Sequence, residues 1–292
     1  MKSLPLYIKK PSIIFLIIIS INCTNQKIEL ENAKSQNIEF LIEKANKLWN
    51  NRNDTNSVKQ ANYILGLAYD VEKSNTDISS LYIKSLFFQG MFLEEEMNKK
   101  DSLFFKGSEV AKASVINNGV FKELVQKSSI NDSSFKILSA LSEAPKELVP
   151  YMYWWATNKL WFLNTKPAIE RINQRELLEI IMHRVISLEP EYDYGGAYRF
   201  FGVFYSRMPG VELSQSKKYF VKAISLNENY LGNQVQMSEF YYQKSENKPS
   251  FLEQLKLVKD LELSTRNDIM AENLYYKKRA EKLLLQQDTL FE

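Results

Sequence analysis

Apolar residues recur at helical spacing along most of the chain, and this pattern constrains the fold more than any other feature. Two examples, one near each end of the pattern, are the stripes Ile38, Leu41, Ile42, Ala45, Leu48 and Leu252, Leu255, Leu257, Val258, Leu261. Apolar positions three or four residues apart share one face of a helix, whereas a half-buried strand requires alternation with a period of two. That alternation is rarely sustained here, so the sequence predicts an all-α fold.

Clusters of Asn, Asp, Gly, Pro and Ser interrupt the apolar stripes. They are "NNRNDTNS" (50–57), "NNG" (117–119), "SSINDSS" (128–134), "NTKP" (164–167), "EPEYD" (189–193), "RMPG" (207–210) and "SENKPS" (245–250). These residue types favour turns and helix ends. Helices joined by short connections pack as antiparallel neighbours, so the clusters predict a series of helix hairpins.

One phrase is repeated, which favours a repeat architecture. The pattern I-S-L-x-x-x-Y occurs at Ile186–Tyr192 and again at Ile224–Tyr230. Between the two copies, Gly202 is expected to let a partner helix approach, and Phe220 is the large residue on a face that is otherwise small at Ser216 and Ala223. This pairing of small with large resembles a tetratricopeptide-like helical repeat, an α-solenoid-like stack of helix hairpins.

The other glycines of this stretch are expected to serve the backbone rather than a phosphate. Gly195 and Gly196 would relax the entry to a helix, and Gly210 would turn the chain after Pro209. Since no strand–turn–helix context surrounds them, they do not form a dinucleotide fingerprint. We therefore count these positions, with Gly202, Phe220 and Ala223, as structural repeat positions.

Residues 1–22 are predicted to be a signal peptide. Three lysines precede an apolar run, Ile13 to Ile19, and Cys23 follows closely. The run is shorter than the roughly 20 residues of a spanning helix, so a transmembrane helix is not favoured. The arrangement resembles a bacterial lipobox, with Cys23 as the lipidated residue; an ordinary secretory signal with an incidental Cys is the alternative. Residues 23–37 would then form a polar tether and 38–292 a single helical-repeat domain.

The charge of the chain gives no reason to bind nucleic acid. The formal net charge is +3, and the three lysines of the predicted signal account for it. The remaining 35 basic side chains balance 35 acidic ones. A nucleic-acid-binding domain usually carries a clear excess of positive charge.

Residues for catalysis are scarce. His183 is the only histidine and Cys23 the only cysteine, so His/Cys zinc sites, Cys–His nucleophile pairs and intramolecular disulfides are excluded. The sequence predicts no catalytic residue, no metal and no cofactor. An enzyme acting on envelope material remains a competing hypothesis, and it would need a pair of carboxylates in a cleft.

The segment "YMYWWATNKLWFL" (151–163) holds three of the four tryptophans. It is interpreted either as a buried central helix or as part of an apolar cleft. Arg199 and Arg207 farther along would make local ion pairs or contact an anionic ligand. The candidate cavity-lining or ligand-lining residues are Tyr151, Tyr153, Trp154, Trp155, Trp161, Tyr198, Arg199, Phe201, Tyr205 and Arg207.

Taken together, these motifs resemble the T components of tripartite ATP-independent periplasmic (TRAP) transporters. The resemblance rests on Tyr153–Trp154 with Trp161, on "ISLEPEYDYGGAYRFFGVFYSRMPG" (186–210), on "KKYFVKAISLNENYL" (217–231) and on "NLYYKKRAEKLLLQ" (273–286). The chain departs from the family at "GVELSQ" (210–215). Its N-terminal half matches the family only in the helical spacing of its residues.

The resemblance implies a non-enzymatic, lipid-anchored protein of the bacterial cell envelope that faces the periplasm. It would dock a periplasmic solute-binding protein and assist ligand delivery, through a cavity or pore that accepts an apolar or amphipathic small molecule. It also allows a homo-oligomer. The competing hypothesis is a general tetratricopeptide envelope lipoprotein that assembles other proteins without small-molecule transport.

Overall fold

A computed structural model of the chain describes residues 37–263 and 268–292. Within these residues every regular element is helical and no strand occurs, which confirms the predicted all-α fold. The predicted signal peptide, the Cys23 lipidation site and nearly all of the tether lie outside the described residues. None of the described helices is both long and apolar enough to cross a membrane.

The first half of the fold runs from α1 to α7. The helices are α1 (37–50), α2 (Thr55–Val71), α3 (Thr76–Phe88), α4 (Met97–Ile116), α5 (Gly119–Lys127), α6 (Ser133–Glu143) and α7 (Val149–Leu163). A π-helical turn, Gln89–Leu93, follows α3, and a short 3₁₀ turn, Lys146–Leu148, precedes α7.

The second half runs from α8 to α15. The helices are α8 (Ala168–Asn173), α9 (Arg175–Leu188), α10 (Tyr192–Arg207), α11 (Leu213–Leu226), α12 (Leu231–Met237), α13 (Lys248–Asp260), α14 (Met270–Leu285) and α15 (Gln287–Leu290). A second π-helical turn, Ser238–Tyr242, follows α12. The chain leaves regular helix within each of the seven turn-forming clusters.

Side chains from these clusters cap the helices that follow them. Asp54, Asn118, Asp132 and Asn247 each accept a hydrogen bond from a backbone N–H in the first turn of α2, α5, α6 and α13. A cap of this type satisfies a donor that the helix itself cannot, and it contributes about 1 kcal/mol. The clusters that separate two helices therefore also supply the residue that starts the second one.

Helix α7 is the central element of the core. It packs against α3, α4, α9 and α10, and its apolar residues point to all sides, as expected for a helix surrounded by protein. Trp154, Trp155 and Met152 are each less than 8% exposed. The tryptophan-rich segment is therefore mainly a buried helix.

Helices α10 and α11 pair through the residues singled out in the sequence. A Cβ placed on Gly202 would lie 2.7 Å from the ring of Phe220, and the Ser216 hydroxyl donates to the Gly202 carbonyl at 2.7 Å. Gly202 and Ala223 are both buried. The small residues therefore give the aromatic side chain its space.

The start of α10 contains a short left-handed turn. Asp193, Tyr194 and Gly195 have φ values of 50°, 60° and 77°, a region that costs free energy for residues with a Cβ. Gly196 then lies against the Tyr153 hydroxyl, which leaves no room for a Cβ at this position. Gly210, after Pro209, also has a positive φ of 76°.

Helix α14, near the end of the chain, contacts the beginning of the described chain. Arg52, in the α1–α2 loop, forms an ion pair with Glu272 at 2.9 Å and donates to the Asp268 carbonyl at 2.6 Å. Beside this pair, Tyr275 packs on Phe88 and Phe92. The two ends of the described chain are thus held together.

One predicted apolar stripe is partly wrong. On α13, Leu255 and Val258 are buried, but Leu257 and Leu261 are 62% and 47% exposed. Leu257 lies about 200° around the helix from Leu255. Because α13 packs with one face against α12, α14 and the second π-helical turn, residues on the other face stay in solvent.

Candidate functional site

A cavity of about 1260 Å³ opens between the two halves of the chain. Its walls come from both π-helical turns, from α4 and the end of α7, from α8, the end of α10 and the start of α13, and from the last residues of the chain. Ligand pockets typically measure about 300–1,000 Å³. The space is therefore sufficient for a small organic molecule.

Both π-helical turns of the described chain face this cavity. The first supplies Gly90 and Met91, and the second supplies Glu239 and Phe240. Gly90 lies against the Phe104 ring, which a Cβ would approach to 2.9 Å. A π-helical turn shifts the side chains that follow it to new directions, and such turns frequently occur at functional sites.

Three aromatic rings form what we call the aromatic wall: Phe104 from α4, Trp161 from α7 and Phe240 from the second π-helical turn. The ring centroids of Phe104 and Trp161 are 6.2 Å apart, and those of Trp161 and Phe240 are 5.8 Å apart. Met91 and Met97 also line the cavity. This side offers an apolar surface for a ligand.

Three basic residues of the cavity form what we call the basic cluster: Lys100 on α4, Arg171 on α8 and Arg207 at the end of α10. Among the described residues, none of the three makes an ion pair with a carboxylate. Burial, followed by the nearby Arg279 and Lys282, lowers the pKa of Lys100. Burial, followed by Arg171, lowers the pKa of Arg207. Lys100 and Arg207 therefore each lie close enough to another cation to be repelled by it.

The half-buried carboxylates of the cavity are already paired with other cations. Asp101 accepts from Lys166 at 2.6 Å and from Thr165 at 2.9 Å. Glu239 forms a two-point ion pair with Arg279, whose Nε lies 3.2 Å from Oε2. These pairs neutralise the two half-buried acidic groups, and the other carboxylates that line the cavity, Glu246 and Glu292, are exposed.

Several buried polar atoms at the cavity lack hydrogen-bond partners. Arg171 is 9% exposed, and its Nη1 donates to the Leu163 and Lys166 carbonyls, yet its Nε has no partner. Both amide atoms of Asn164 are also unpartnered. Buried polar groups in folded proteins are nearly always satisfied by protein, water or ligand. Both residues line the cavity, so a bound molecule could supply the missing partners.

The family match covers most of the cavity walls. Residues 93–291 match the family model described as TAtT, TRAP transporter T-component. The chain belongs to the TRAP transporter T-component family. No curated protein shows significant similarity to the chain. This family is one of transporter components rather than of enzymes, and it gives the chain a role in a TRAP transport system of the cell envelope.

The matched region contains nearly every residue of the cavity described above. The exceptions are Gly90 and Met91 of the first π-helical turn and Glu292 at the end of the chain. Residues 37–92, including α1 to α3, lie outside the match. The T-component region of this chain therefore supplies the basic cluster and the aromatic wall.

The structure places the ten sequence-predicted site residues in three settings. Trp161 and Arg207 line the large cavity. Tyr153 and Arg199, with the other side of Trp161, line a second cavity of about 20 Å³. That volume is close to the size of one water molecule, so a ligand does not fit there.

The other six predicted residues line neither cavity. Trp154, Trp155 and Phe201 are buried in the core. The three remaining tyrosines are half-buried: Tyr151 donates to the Thr76 carbonyl at 3.1 Å, Tyr205 donates to Glu179 at 3.0 Å, and Tyr198 packs near Tyr219.

Arg199 is the centre of a buried polar network. Its guanidinium donates to Asp193 Oδ2 at 2.5 Å and to Asn233 Oδ1 at 2.9 Å, and it lies 4.6 Å from the Tyr230 ring centroid. Tyr153 also donates to Asp193 Oδ2 at 2.5 Å. Burial, followed by the Asp193 charge, raises the pKa of Tyr153 well above its ordinary value, so this phenol remains a donor. The network joins α7, α10 and α12 and positions the left-handed turn.

Sequence reasoning missed Lys100, Arg171, Glu239 and Phe240 as cavity residues. Lys100 lies in "EEEMNKKD", a segment that is typical of a solvated helix end. Arg171 lies in a helix of six residues and carries no motif. The π-helical turns have no sequence signature that would have revealed Glu239 or Phe240. His183, by contrast, is exposed and packs 4.7 Å from the Phe201 ring.

Proposed function

We propose that the chain is a lipid-anchored scaffold that faces the periplasm, docks the solute-binding protein of a TRAP transporter and assists ligand delivery through the cavity. The observation that carries this proposal is the 1260 Å³ cavity, with its aromatic wall and basic cluster, inside the region that matches the T-component family. A scaffold used only for assembly has no need of such a cavity.

The helical architecture supports docking of a protein partner. Consecutive helices pack as pairs, as in α2–α3, α10–α11 and α13–α14, and we propose that these pairs form a tetratricopeptide-like stack. Stacked helix pairs present extended concave surfaces that commonly bind proteins. A lipid on Cys23 would hold this surface near the membrane, where the permease components of a TRAP system reside.

The proposal assigns no catalytic step to this chain. No group of three or more His, Cys, Asp or Glu suited to a metal ion occurs in residues 37–263 and 268–292, and the cavity carboxylates Asp101 and Glu239 are both held in ion pairs. A carboxylate that is held by a cation has its oxygens occupied as hydrogen-bond acceptors, which makes it poorly placed to take a proton from a substrate. Substituting both carboxylates should therefore abolish no enzymatic activity.

The partner is tested by affinity purification. The tagged full chain is isolated from detergent-solubilised envelopes of its source, and co-purifying proteins are identified by mass spectrometry. A TRAP-type solute-binding protein should be retained by the wild-type chain and absent from an unrelated tagged lipoprotein. Retention of other envelope proteins without any solute-binding protein would contradict the docking proposal and favour a general tetratricopeptide scaffold.

Ligand handling and subunit number are tested by native mass spectrometry of the same preparation. A chain that assists ligand delivery should retain a small molecule, seen as a mass increment that disappears on denaturation. The same spectra report whether the chain is a monomer or a homo-oligomer. A bare protein mass under gentle ionisation, with or without partner, would count against a small-molecule role.

A further inference from the structure

The outward face of α2 carries a run of exposed apolar side chains. Tyr63, Leu67 and Val71 are 70%, 46% and 48% exposed. They follow one another at intervals of four residues, so they lie within about 80° of one another around the helix and span about 12 Å along it. In residues 37–263 and 268–292, no other helix has three exposed large apolar side chains at successive turns. We call these three residues the α2 stripe.

The opposite face of α2 is already buried in the core. Val58, Ala61, Leu65 and Ala68 are each no more than 1% exposed, and α3 packs against the helix. A surface helix of a globular protein normally carries polar and charged residues on its outer face. Contiguous exposed apolar residues instead mark surfaces that contact a protein or a membrane. The α2 stripe is therefore a candidate contact surface.

The stripe lies beside the start of α1. Helices α1 and α2 are joined by the four residues 51–54, and helices with so short a connection pack as antiparallel neighbours. The last turn of α2, with Val71, therefore lies near the first turn of α1. Ile38 and Ala68, at these two ends, belong to the same buried core. Phe40, at the same end of α1, adds a side chain that is 59% exposed.

The predicted lipid anchor enters the folded body at this end. Thirteen residues, 24–36, separate Cys23 from Asn37, the first described residue. Even fully extended, thirteen residues reach at most about 45 Å. A lipid on Cys23 would therefore keep the first turn of α1, and the stripe beside it, within that distance of the bilayer. This position favours lipid over protein as the partner of the stripe.

The chemistry of α2 fits contact with the surface of a bilayer. Tyrosine is enriched at membrane–water interfaces, because its ring is apolar and its hydroxyl is polar. The two charged residues of α2, Lys59 and Asp70, have opposite signs, so the helix has no net attraction for anionic headgroups. The contact would therefore depend on apolar burial rather than on lipid charge.

We propose that the α2 stripe contacts the lipid bilayer to which the chain is anchored and thereby orients the folded body at the membrane. The inference rests on the lipid anchor of the proposed function and goes beyond it. A lipid at one point of the chain does not by itself fix which face of the body meets the membrane. Residues 37–92 lie outside the T-component match, so the match assigns no role to this surface.

The test places the fluorophore nitrobenzoxadiazole on an introduced cysteine. Lipidation would occupy the sulfur of Cys23, the only native cysteine, so Val71→Cys supplies the one free thiol of the full lipidated chain. The labelled chain is reconstituted in phosphatidylcholine vesicles with or without nitroxide-labelled phospholipid. The control is Val221→Cys on α11, since Val221 is 49% exposed and Val71 is 48% exposed. We expect blue-shifted emission at position 71 and several-fold stronger nitroxide quenching there than at position 221.

Polar substitutions assign the quenching to the stripe. Tyr63→Gln combined with Leu67→Gln, in the chain labelled at position 71, should reduce the quenching to the level of the α11 control. Both side chains are exposed, so this variant is expected to fold, and circular dichroism checks that its helical signal is unchanged. The matched control combines Leu257→Gln with Leu261→Gln on α13, which replaces two residues that are 62% and 47% exposed. It should leave the quenching at position 71 unchanged.

The possible results separate the bilayer from other partners of the stripe. Equal quenching at the two labelled positions, full quenching in the stripe variant, or quenching that requires anionic phosphatidylglycerol would each overturn the inference. Emission at position 71 that shifts to the blue with increasing protein density, without nitroxide quenching, would assign the stripe to a second copy of the chain. That result would also overturn the inference.

The intact mass of the same preparation separates this inference from the proposed function. A lipidated chain without quenching at position 71 would overturn the orientation of the body and leave the anchor standing. A chain without lipid on Cys23 would overturn the anchor and, with it, the orientation. Docking of the solute-binding protein is measured independently by affinity purification.

Discussion

The substitution Asp193→Asn tests how much the buried network around Arg199 contributes to the fold. The side chains of Arg199 and Asp193 are 7% and 18% exposed, and they form an ion pair at 2.5 Å. Asn has nearly the same shape as Asp, and it tolerates the left-handed conformation that this position adopts at a φ of 50°. The change therefore removes a negative charge and leaves the backbone geometry intact.

The magnitude follows from the environment of the remaining cation. Removing one partner of a buried ion pair costs about 3–5 kcal/mol, because the other charge stays buried without compensation. Asn can still accept from Arg199 and Tyr153, and Asp193 is partly exposed, so we expect a value near the lower end, about 3 kcal/mol. For a chain of this size that corresponds to a fall in Tm of about 6–12 °C.

The measurement is urea unfolding followed by circular dichroism at 25 °C. The control is Glu123→Gln, which breaks the exposed ion pair between Glu123 and Lys127 on α5 and should cost less than about 0.5 kcal/mol. The double variant Asp193→Asn with Arg199→Met should recover part of the loss, since it also removes the stranded cation. A cost below about 1 kcal/mol for Asp193→Asn would show that Arg199 does not depend on this carboxylate, contrary to our reasoning.

Three further predictions concern packing, closure and pH. Gly202→Ala should lower the free energy of unfolding by about 1–2 kcal/mol because the added Cβ meets a buried ring at 2.7 Å, whereas Gly119→Ala, which has open space around it, should not lower it. Arg52→Gln should weaken the ion pair with Glu272 and increase hydrogen–deuterium exchange in 55–71 at least several-fold more than in α7; uniform exchange would contradict a local role for this contact. Burial raises the pKa of Tyr276 from 10.0 to about 12, so its contribution to stability, up to about 2–3 kcal/mol, is complete below pH 10 and is lost as the pH rises towards 12. Tyr276→Phe should therefore flatten the loss of stability over that range, and an unchanged slope would refute the assignment.

Local features of the fold could be predicted from the sequence because they depend on neighbouring residues. Helical spacing of apolar residues requires no knowledge of the partner surface. The turn-forming clusters also act locally: the Asp54, Asn118 and Asp132 side chains bind backbone groups two or three residues away. The pairing of Gly202 with Phe220 was predictable for a similar reason, since the two lie on helices joined by one short turn.

The candidate site could be predicted only in part. Trp161 and Arg207 were found because aromatic and arginine side chains are distinctive in a sequence, although most of the aromatic segment proved to be core. Lys100 and Arg171 were missed because the sequence does not show whether a basic side chain is exposed or buried. Their character depends on α4, α8 and α10 meeting around one cavity, and nothing local encodes that meeting.

The sequence by itself determined the helical class, the places where helices end and the family to which the chain belongs, because periodicity, capping and motif spacing are properties of short segments. Only the tertiary structure decided which residues face the cavity and which charges are paired with each other. A count of charges would assign Asp101 and Glu239 to the basic cluster, yet Asp101 is bound to Lys166 and Glu239 to Arg279. An electrostatic site depends on distances of a few ångströms between residues far apart in the chain, and those distances exist only in the folded protein.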